Sequence, residues 1–217
     1  MSVAAMLERI RGARVVPVLR MQQRRHAETA SRWLLEAGFG VIEITLSIPD
    51  APELIRALSA EPGLIVGAGT VPTARDAETC LAAGARFIVS PWVDPALAGP
   101  CRAAEAALMR GALTPPEVRA AIKAGADVVK IFPASSAGGP AHIRALKSVF
   151  PGALFCPTGG VAPEDVSSYL AAGAAFVGIG GALADERRIA AGDRDGILAA
   201  ARSIRHLAES RSDSLKA

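Results

Sequence analysis

The 217-residue sequence predicts an α/β protein folded as one (β/α)8 barrel, a TIM barrel in a single domain spanning 1–217. A phrase of Ala-Gly, two variable residues and an apolar run occurs four times, as AGFGVIEIT, AGARFIVSP, AGADVVKIF and AGAAFVGIG. Each copy follows a helix-like segment, so its Gly serves as a left-handed helix cap and the run after it as a strand buried on both faces. The four glycines, at 38, 84, 125 and 173, are 46, 41 and 48 residues apart. A βαβ crossover takes about 30 residues or fewer, so each interval holds two βα units. Eight strands alternating with helices and no linker form a closed barrel more readily than an open doubly wound sheet.

The elements follow in order. A helix over 1–13 leads into a first strand, RVVPVLR at 14–20. The second, fourth, sixth and eighth strands are the apolar runs of the four phrases. The odd-numbered strands lie between them: GLIVGAGT at 63–70, AALMRG at 106–111 and ALFCPTGG at 153–160. Thr73, Asp94 and Thr114 sit where N-caps belong, and Pro115 and Pro116 suit a first helical turn. The uncharged stretch 166–184 contains Gly173, Gly178, Gly180 and Gly181, which makes it a helix end, a strand and a glycine loop rather than a membrane span. DERRIAAGDRDGILAAARSIRHLAES reads as a broken amphipathic last helix, followed by a frayed tail over 211–217.

Composition narrows the function classes. Half the residues (51%) are hydrophobic and the mean hydropathy is +0.31, which excludes intrinsic disorder. Aromatics are only 4%, too few for a stacking platform on single-stranded nucleic acid. The net charge of +3 balances 24 basic against 21 acidic residues, too even for a phosphate-backbone binder. No nucleic-acid or membrane partner is therefore expected. Cys80, Cys101 and Cys156 are odd in number and scattered, which argues against disulfides or zinc and for a reducing cytoplasm. His26, His142 and His206 have no ligand spacing and read as surface residues, so neither metal nor cofactor is expected.

The register of the repeat singles out two charges. Five positions after each repeat Gly come Glu43, Val89, Lys130 and Gly178, on alternate strands, and alternate strands share an interior layer. A lysine within VVKIF and a glutamate within VIEIT would each be costly to bury unpaired. The plain alternative is a structural ion pair, or strands one residue out of register. The catalytic reading has Val128, Val129, Ile131 and Phe132 desolvating Lys130 so that its neutral amine attacks a carbonyl, with Glu43 moving protons directly or through water. Gly159 and Gly160 after strand seven, with Gly180 and Gly181 after strand eight, occupy the loop positions where many barrels bind phosphate.

At these residues the chain resembles the bacterial class I aldolases that cleave 2-keto-3-deoxy-6-phosphogluconate (KDPG), the KHG/KDPG aldolase family. The shared motifs run in order through VVPVLR, IEITL, VGAGTV, FIVSP, GALTP, VVKIFPA, FCPTGG and GIGG. The resemblance implies a metal-free (β/α)8 barrel, a homotrimer, and cleavage of a phosphorylated keto-deoxy sugar acid to pyruvate and glyceraldehyde 3-phosphate. It implies that Lys130 is the Schiff-base lysine and Glu43 the acid/base acting through water. Thr70 would contact the pyruvate portion, Thr158 the substrate, and Pro91 and Phe132 would line the lysine's pocket. Gly159, Gly160, Gly180 and Gly181 would form the phosphate loops.

Some positions depart from that pattern. Ser47 stands where many relatives have Arg, while Arg20 resembles the arginine of the branch acting on the galactonate epimer (KDPGal) and could bind the carboxylate. Arg20 could equally form a rim salt bridge. Cleavage of KDPGal or of 4-hydroxy-2-oxoglutarate, another phosphosugar-barrel activity, or binding alone are the alternatives. Ala182 replaces a common Ser, and Arg110 replaces the usual Pro before GALTP. There Arg110 either obstructs the mouth or adds an anion contact. Cys156 reads as a small core residue, QQRRH at 22–26 as a solvated helix start, and Trp33 and Trp92 as packing or subunit-contact residues.

Overall fold

In the computed structural model, which describes residues 1–209, eight parallel strands form one sheet in the order β7-β6-β5-β4-β3-β2-β1-β8. They are β1 (Val15–Leu19), β2 (Val41–Thr45), β3 (Ile65–Gly69), β4 (Phe87–Ser90), β5 (Ala107–Ala112), β6 (Val128–Ile131), β7 (Phe155–Pro157) and β8 (Val177–Ile179). The last gap is closed by a parallel bridge between Thr158 and Gly178 and by the Ala175 N–H donating to the Phe155 carbonyl at 2.8 Å. The expected barrel is therefore present, and its interior has no free sheet edge.

Among the described residues ten α-helices accompany the strands: α1 (Val3–Ala13), α2 (Arg24–Glu36), α3 (Ala51–Ser59), α4 (Ala74–Ala82), α5 (Ala98–Ala103), α6 (Pro115–Lys123), α7 (Gly139–Val149), α8 (Val166–Ala171), α9 (Glu186–Ala190) and α10 (Arg194–Glu209). The broken last helix is the pair α9 and α10, separated at Gly192, whose φ is +74°. The expected frayed tail, 211–217, lies outside the described residues. Among the described residues no helix is long and apolar enough to cross a membrane.

The repeated Ala-Gly phrase has one structural cause. Gly38, Gly84, Gly125 and Gly173 have φ of +89°, +108°, +82° and +101°. In each case the next residue's N–H reaches back five positions, Phe39 to Leu34, Ala85 to Cys80, Ala126 to Ala121 and Ala174 to Tyr169. This 6→1 bond of the Schellman motif satisfies the last helical carbonyls and turns the chain into the next strand. Helix starts behave likewise. The Thr73 hydroxyl accepts from the Asp76 N–H, Asp94 from Ala96, and Thr114 forms a capping box with Glu117.

Every strand is buried along its whole length, and alternate side chains divide it between two cores. The outer core lies between strands and helices. The inner core contains Val16, Val41, Ile65, Phe87, Met109, Val128 and Phe176, with Met6 and Ile10 of α1 packed against them. Those two residues lie four apart on one face of α1, which makes that helix the floor of the barrel.

Two sequence readings gain detail. The start of α2 leaves Gln22, Gln23 and Arg25 exposed as read, but Gln23 at its N-cap makes no side-chain cap bond. The Glu186 carboxylate of α9 takes that role, accepting from the N–H groups of Gln22 and Gln23 and lying 2.9 Å from His26 Nδ1. Burial works against the charged form, yet these hydrogen bonds hold the Glu186 carboxyl below its ordinary value. His26 and His142 are half-buried rather than superficial, and His142 Nε2 lies 2.7 Å from the Leu113 carbonyl.

Candidate active site

Lys130 of β6 and Glu43 of β2 meet inside the barrel. Lys130 Nζ is 3.6 Å from Glu43 Oε1, and each side chain is 6% exposed. β2 and β6 lie on opposite sides of the lumen, and small residues on the strands between them leave room for the two long side chains to meet. Gly67 and Gly69 of β3 are paired with Glu43 and Thr45, and a Cβ at 69 would overlap the Glu43 carboxylate. Gly111 of β5 and Cys156 of β7 flank Lys130 on the paired strands. Val89 and Gly178 lie in the same layer, as the register arithmetic predicts, and Thr158 occupies the space a Cβ at 178 would take.

The desolvation of Lys130 needs a finer description than the sequence gives. Val129 and Ile131 belong to the outer core, because neighbours on a strand face opposite ways. The lumen side is formed by Val128 below and the Phe132 ring, whose centroid is 5.6 Å from Nζ, within cation–π range. Glu43 Oε1 accepts no hydrogen bond from the described residues. Two charges held this way are costly unless their chemistry is used or their partners are close.

Arg20 follows β1 and Thr70 follows β3, both at the C-terminal mouth where barrel loops gather. Arg20 Nη2 donates to Thr70 Oγ1 at 2.8 Å, so the rim contact of Arg20 is with a hydroxyl rather than a carboxylate. Thr70 has φ +57°, strained for a β-branched residue, and such strain clusters at functional positions. Ser47, the departure from the family's Arg, is exposed and its Oγ lies 2.8 Å from Thr45 Oγ1.

These observations define a closed charged layer under an open mouth, and comparison with known proteins places it. The family model described as KDPG and KHG aldolase matches residues 6–200. The chain belongs to the KDPG and KHG aldolase family. A 2-dehydro-3-deoxy-phosphogluconate aldolase of Zymomonas mobilis is 37% identical over 161 residues, 74% of this chain and 77% of that protein. A probable 2-dehydro-3-deoxy-6-phosphogalactonate aldolase of Rhizobium meliloti is 37% identical over 172 residues, 78% of this chain and 81% of that one. The crystal structure of a KDPG aldolase from Legionella pneumophila, with pyruvate captured as a covalent carbinolamine, superposes with a TM-score of 0.83 at 30% identity, covering 91% of this chain and 97% of that one.

In this family member the other expected site residues ring the same lumen. Thr158 is buried directly after β7, with its Oγ1 3.5 Å from Cys156 Sγ. Phe132 and Pro91 lie at the mouth, the first 41% exposed and the second half-buried. Gly159 and Gly160 have φ of +91° and +71° and pack beside Phe132 and Ser135, while Gly180 and Gly181 open the loop after β8. The Thr158–Gly178 bridge brings those two loops side by side.

Arg110 is where sequence reasoning fails. It neither obstructs the mouth nor faces an anion there, because it points into the outer layer and is fully buried. Its guanidinium donates to the carbonyls of Asp94 and Ala124. Cys156 is the small buried core residue the sequence reads; it belongs to the inner core, on the lumen side beside Lys130, and burial pushes its thiol up to about 12. Sequence reasoning did not single out Gly69 and Gly111, whose lack of a side chain leaves room for the Glu43 carboxylate and for the Pro91 backbone; the Gly67–Gly69 alternation was the available signal for the first. Among the described residues no group of three or more His, Cys, Asp or Glu could hold a metal.

Proposed function

We propose that this protein is a Schiff-base aldolase that cleaves KDPG to pyruvate and glyceraldehyde 3-phosphate. The observation that carries the reading is the buried Lys130–Glu43 pair, at 3.6 Å, in a barrel of this family. Lys130 Nζ adds to the C2 ketone, and loss of water leaves a protonated imine. Glu43, through a water or directly, takes the C4 hydroxyl proton as the C3–C4 bond breaks and its electron pair moves into the imine. The aldehyde departs, the resulting enamine is protonated at C3, and water hydrolyses the imine to release pyruvate and the free amine.

The surrounding residues have matching parts in this reading. Arg20 and Thr70, already joined at 2.8 Å, bind the carboxylate, and Thr158 reaches a substrate hydroxyl. Pro91 and Phe132 enclose the imine. The adjacent Gly159–Gly160 and Gly180–Gly181 loops offer backbone N–H groups to the phosphate, a role supported by the exposure of Gly160 and Gly181. Arg20 at the mouth and the relative named for the galactonate epimer support a second reading, cleavage of KDPGal. A homotrimer in the cytoplasm completes the proposal, the second part supported by three free, buried cysteines.

The test is a coupled assay for pyruvate released from both C4 epimers and from 4-hydroxy-2-oxoglutarate, with Lys130→Ala beside the native enzyme. Turnover of KDPG that drops about 10⁴-fold or more in the variant is the expected result. Thermal stabilisation by the sugar acid without pyruvate release from any of them would leave a binding protein instead.

A further inference from the structure

Arg110 is the largest fully buried side chain, and the mechanism above does not use it. Its Nη1 donates to the Asp94 carbonyl and its Nη2 to the Ala124 carbonyl at 2.9 Å, while Nε has no partner among the described residues. A guanidinium held by neutral carbonyls is an expensive way to fill an outer-layer position whose partners on the neighbouring strands are Ser90 and Val129. Desolvation pushes its pKa down from the ordinary value, opposed by the nearby Cys101 and Asp94. The arrangement becomes intelligible from what the carbonyls belong to. Asp94 ends the loop 91–94 that follows β4, and Ala124 caps α6, the helix that leads into the strand carrying Lys130.

The next residue on β5 holds the other end of that loop. Gly111 faces the lumen, and a Cβ there would collide with the backbone of Pro91, so only Gly lets Pro91 settle over it. Gly111 is paired in register with Lys130. Two consecutive residues of one strand, facing opposite ways, thus secure both ends of a four-residue loop. Gly111 seats Pro91 inside, and Arg110 ties Asp94 outside. Asp94 accepts from Ala96 and the half-exposed Trp92 lies midway, its N–H 3.5 Å from Ser90 Oγ.

We propose that Arg110 is a positioning residue that pins the loop 91–94 from the outer layer and so keeps Pro91 against the Lys130 pocket. The catalytic consequence rests on the Schiff-base reading of Lys130; the anchoring of the loop does not. The guanidinium fork is the feature that matters, because it spans two carbonyls on separate elements at once.

The experiment uses the full chain with Trp33→Phe as background, so that Trp92 is the remaining tryptophan. Arg110→Met, close in length and apolar, and Arg110→Lys, able to reach one carbonyl, are compared in that background. Folding is checked by circular dichroism and thermal melting. The expected result is that Arg110→Met stays folded, that acrylamide quenches Trp92 at least twofold more effectively, and that borohydride trapping of pyruvate at Lys130 slows tenfold or more. Arg110→Lys should recover part of both losses. A Met variant with native quenching and native trapping overturns the proposal, as does a Lys variant no better than Met in both readouts. If Arg110→Met does not fold, Arg110→Lys with native quenching and trapping overturns it, and intermediate loss supports it. If the unmutated chain traps no pyruvate, the Schiff-base reading fails, and the quenching alone decides whether Arg110 holds the loop.

Discussion

The lumen of this barrel is two regions separated by one step along the strands. In the lower, Val41, Ile65, Phe87, Val128 and Phe176 close over Met6 and Ile10 of the floor helix. Two residues higher on the same strands, Val41 gives way to Glu43, Ile65 to Gly67 and Val128 to Lys130. Both levels are buried, so burial alone does not separate them. The lower level gains stability from every methylene it removes from water. The upper level buries two charges, leaves Glu43 Oε1 without a hydrogen bond among the described residues and uses glycines to keep space open. Barrels commonly divide in this way, with stability at the N-terminal face and chemistry at the C-terminal one.

That contrast is broken most sharply by changing the upper level. Glu43→Gln removes the carboxylate proposed as proton acceptor while keeping shape, and kcat should fall roughly 10²–10⁴-fold with the fold retained. Steady-state kinetics beside a melting curve checks this, and native turnover would return the pair to a structural role. The lower level should respond the opposite way. Ile10→Ala in the floor helix should cost about 2–5 kcal/mol in denaturant unfolding, with kcat per folded molecule unchanged. A large loss of kcat there would show that the two levels are one unit.

The smallest effect lies at the mouth but outside the lumen. Glu186 caps α2 from α9, and Glu186→Gln should cost about 1 kcal/mol at neutral pH without altering kcat. Its folded pKa is lowered, so the stabilisation is present above the unfolded carboxyl value and is lost as pH falls through the folded one. The difference between the two proteins in urea should therefore shrink below about pH 4.

Much of this was legible because one signal repeats. The Gly of each Ala-Gly phrase sets a left-handed turn, and the fifth residue after it faces the lumen on β2, β4, β6 and β8, which located Glu43 and Lys130. The odd strands do not share that phase. The left-handed turns before β3 and β5 are at Gly63 and Glu105, and the fifth residues after them, Ala68 and Arg110, face the outer layer. Glu105 carries no glycine signature, and a one-residue difference in register inverts every side chain. That is why Arg110 could not be oriented from sequence. The strained φ of Thr70 and the capping of α2 by Glu186, more than 160 residues away along the chain, depend on tertiary contacts and leave no local pattern.

The central claim is that the Lys130 amine reacts covalently with a keto acid inside the barrel. Incubating the unmodified protein with pyruvate and borohydride, then mapping the added mass by peptide sequencing, addresses it directly. A reduced pyruvate adduct on the peptide containing Lys130, and its loss in Lys130→Ala, is the predicted result. An unlabelled protein, or label spread over surface lysines, would contradict it.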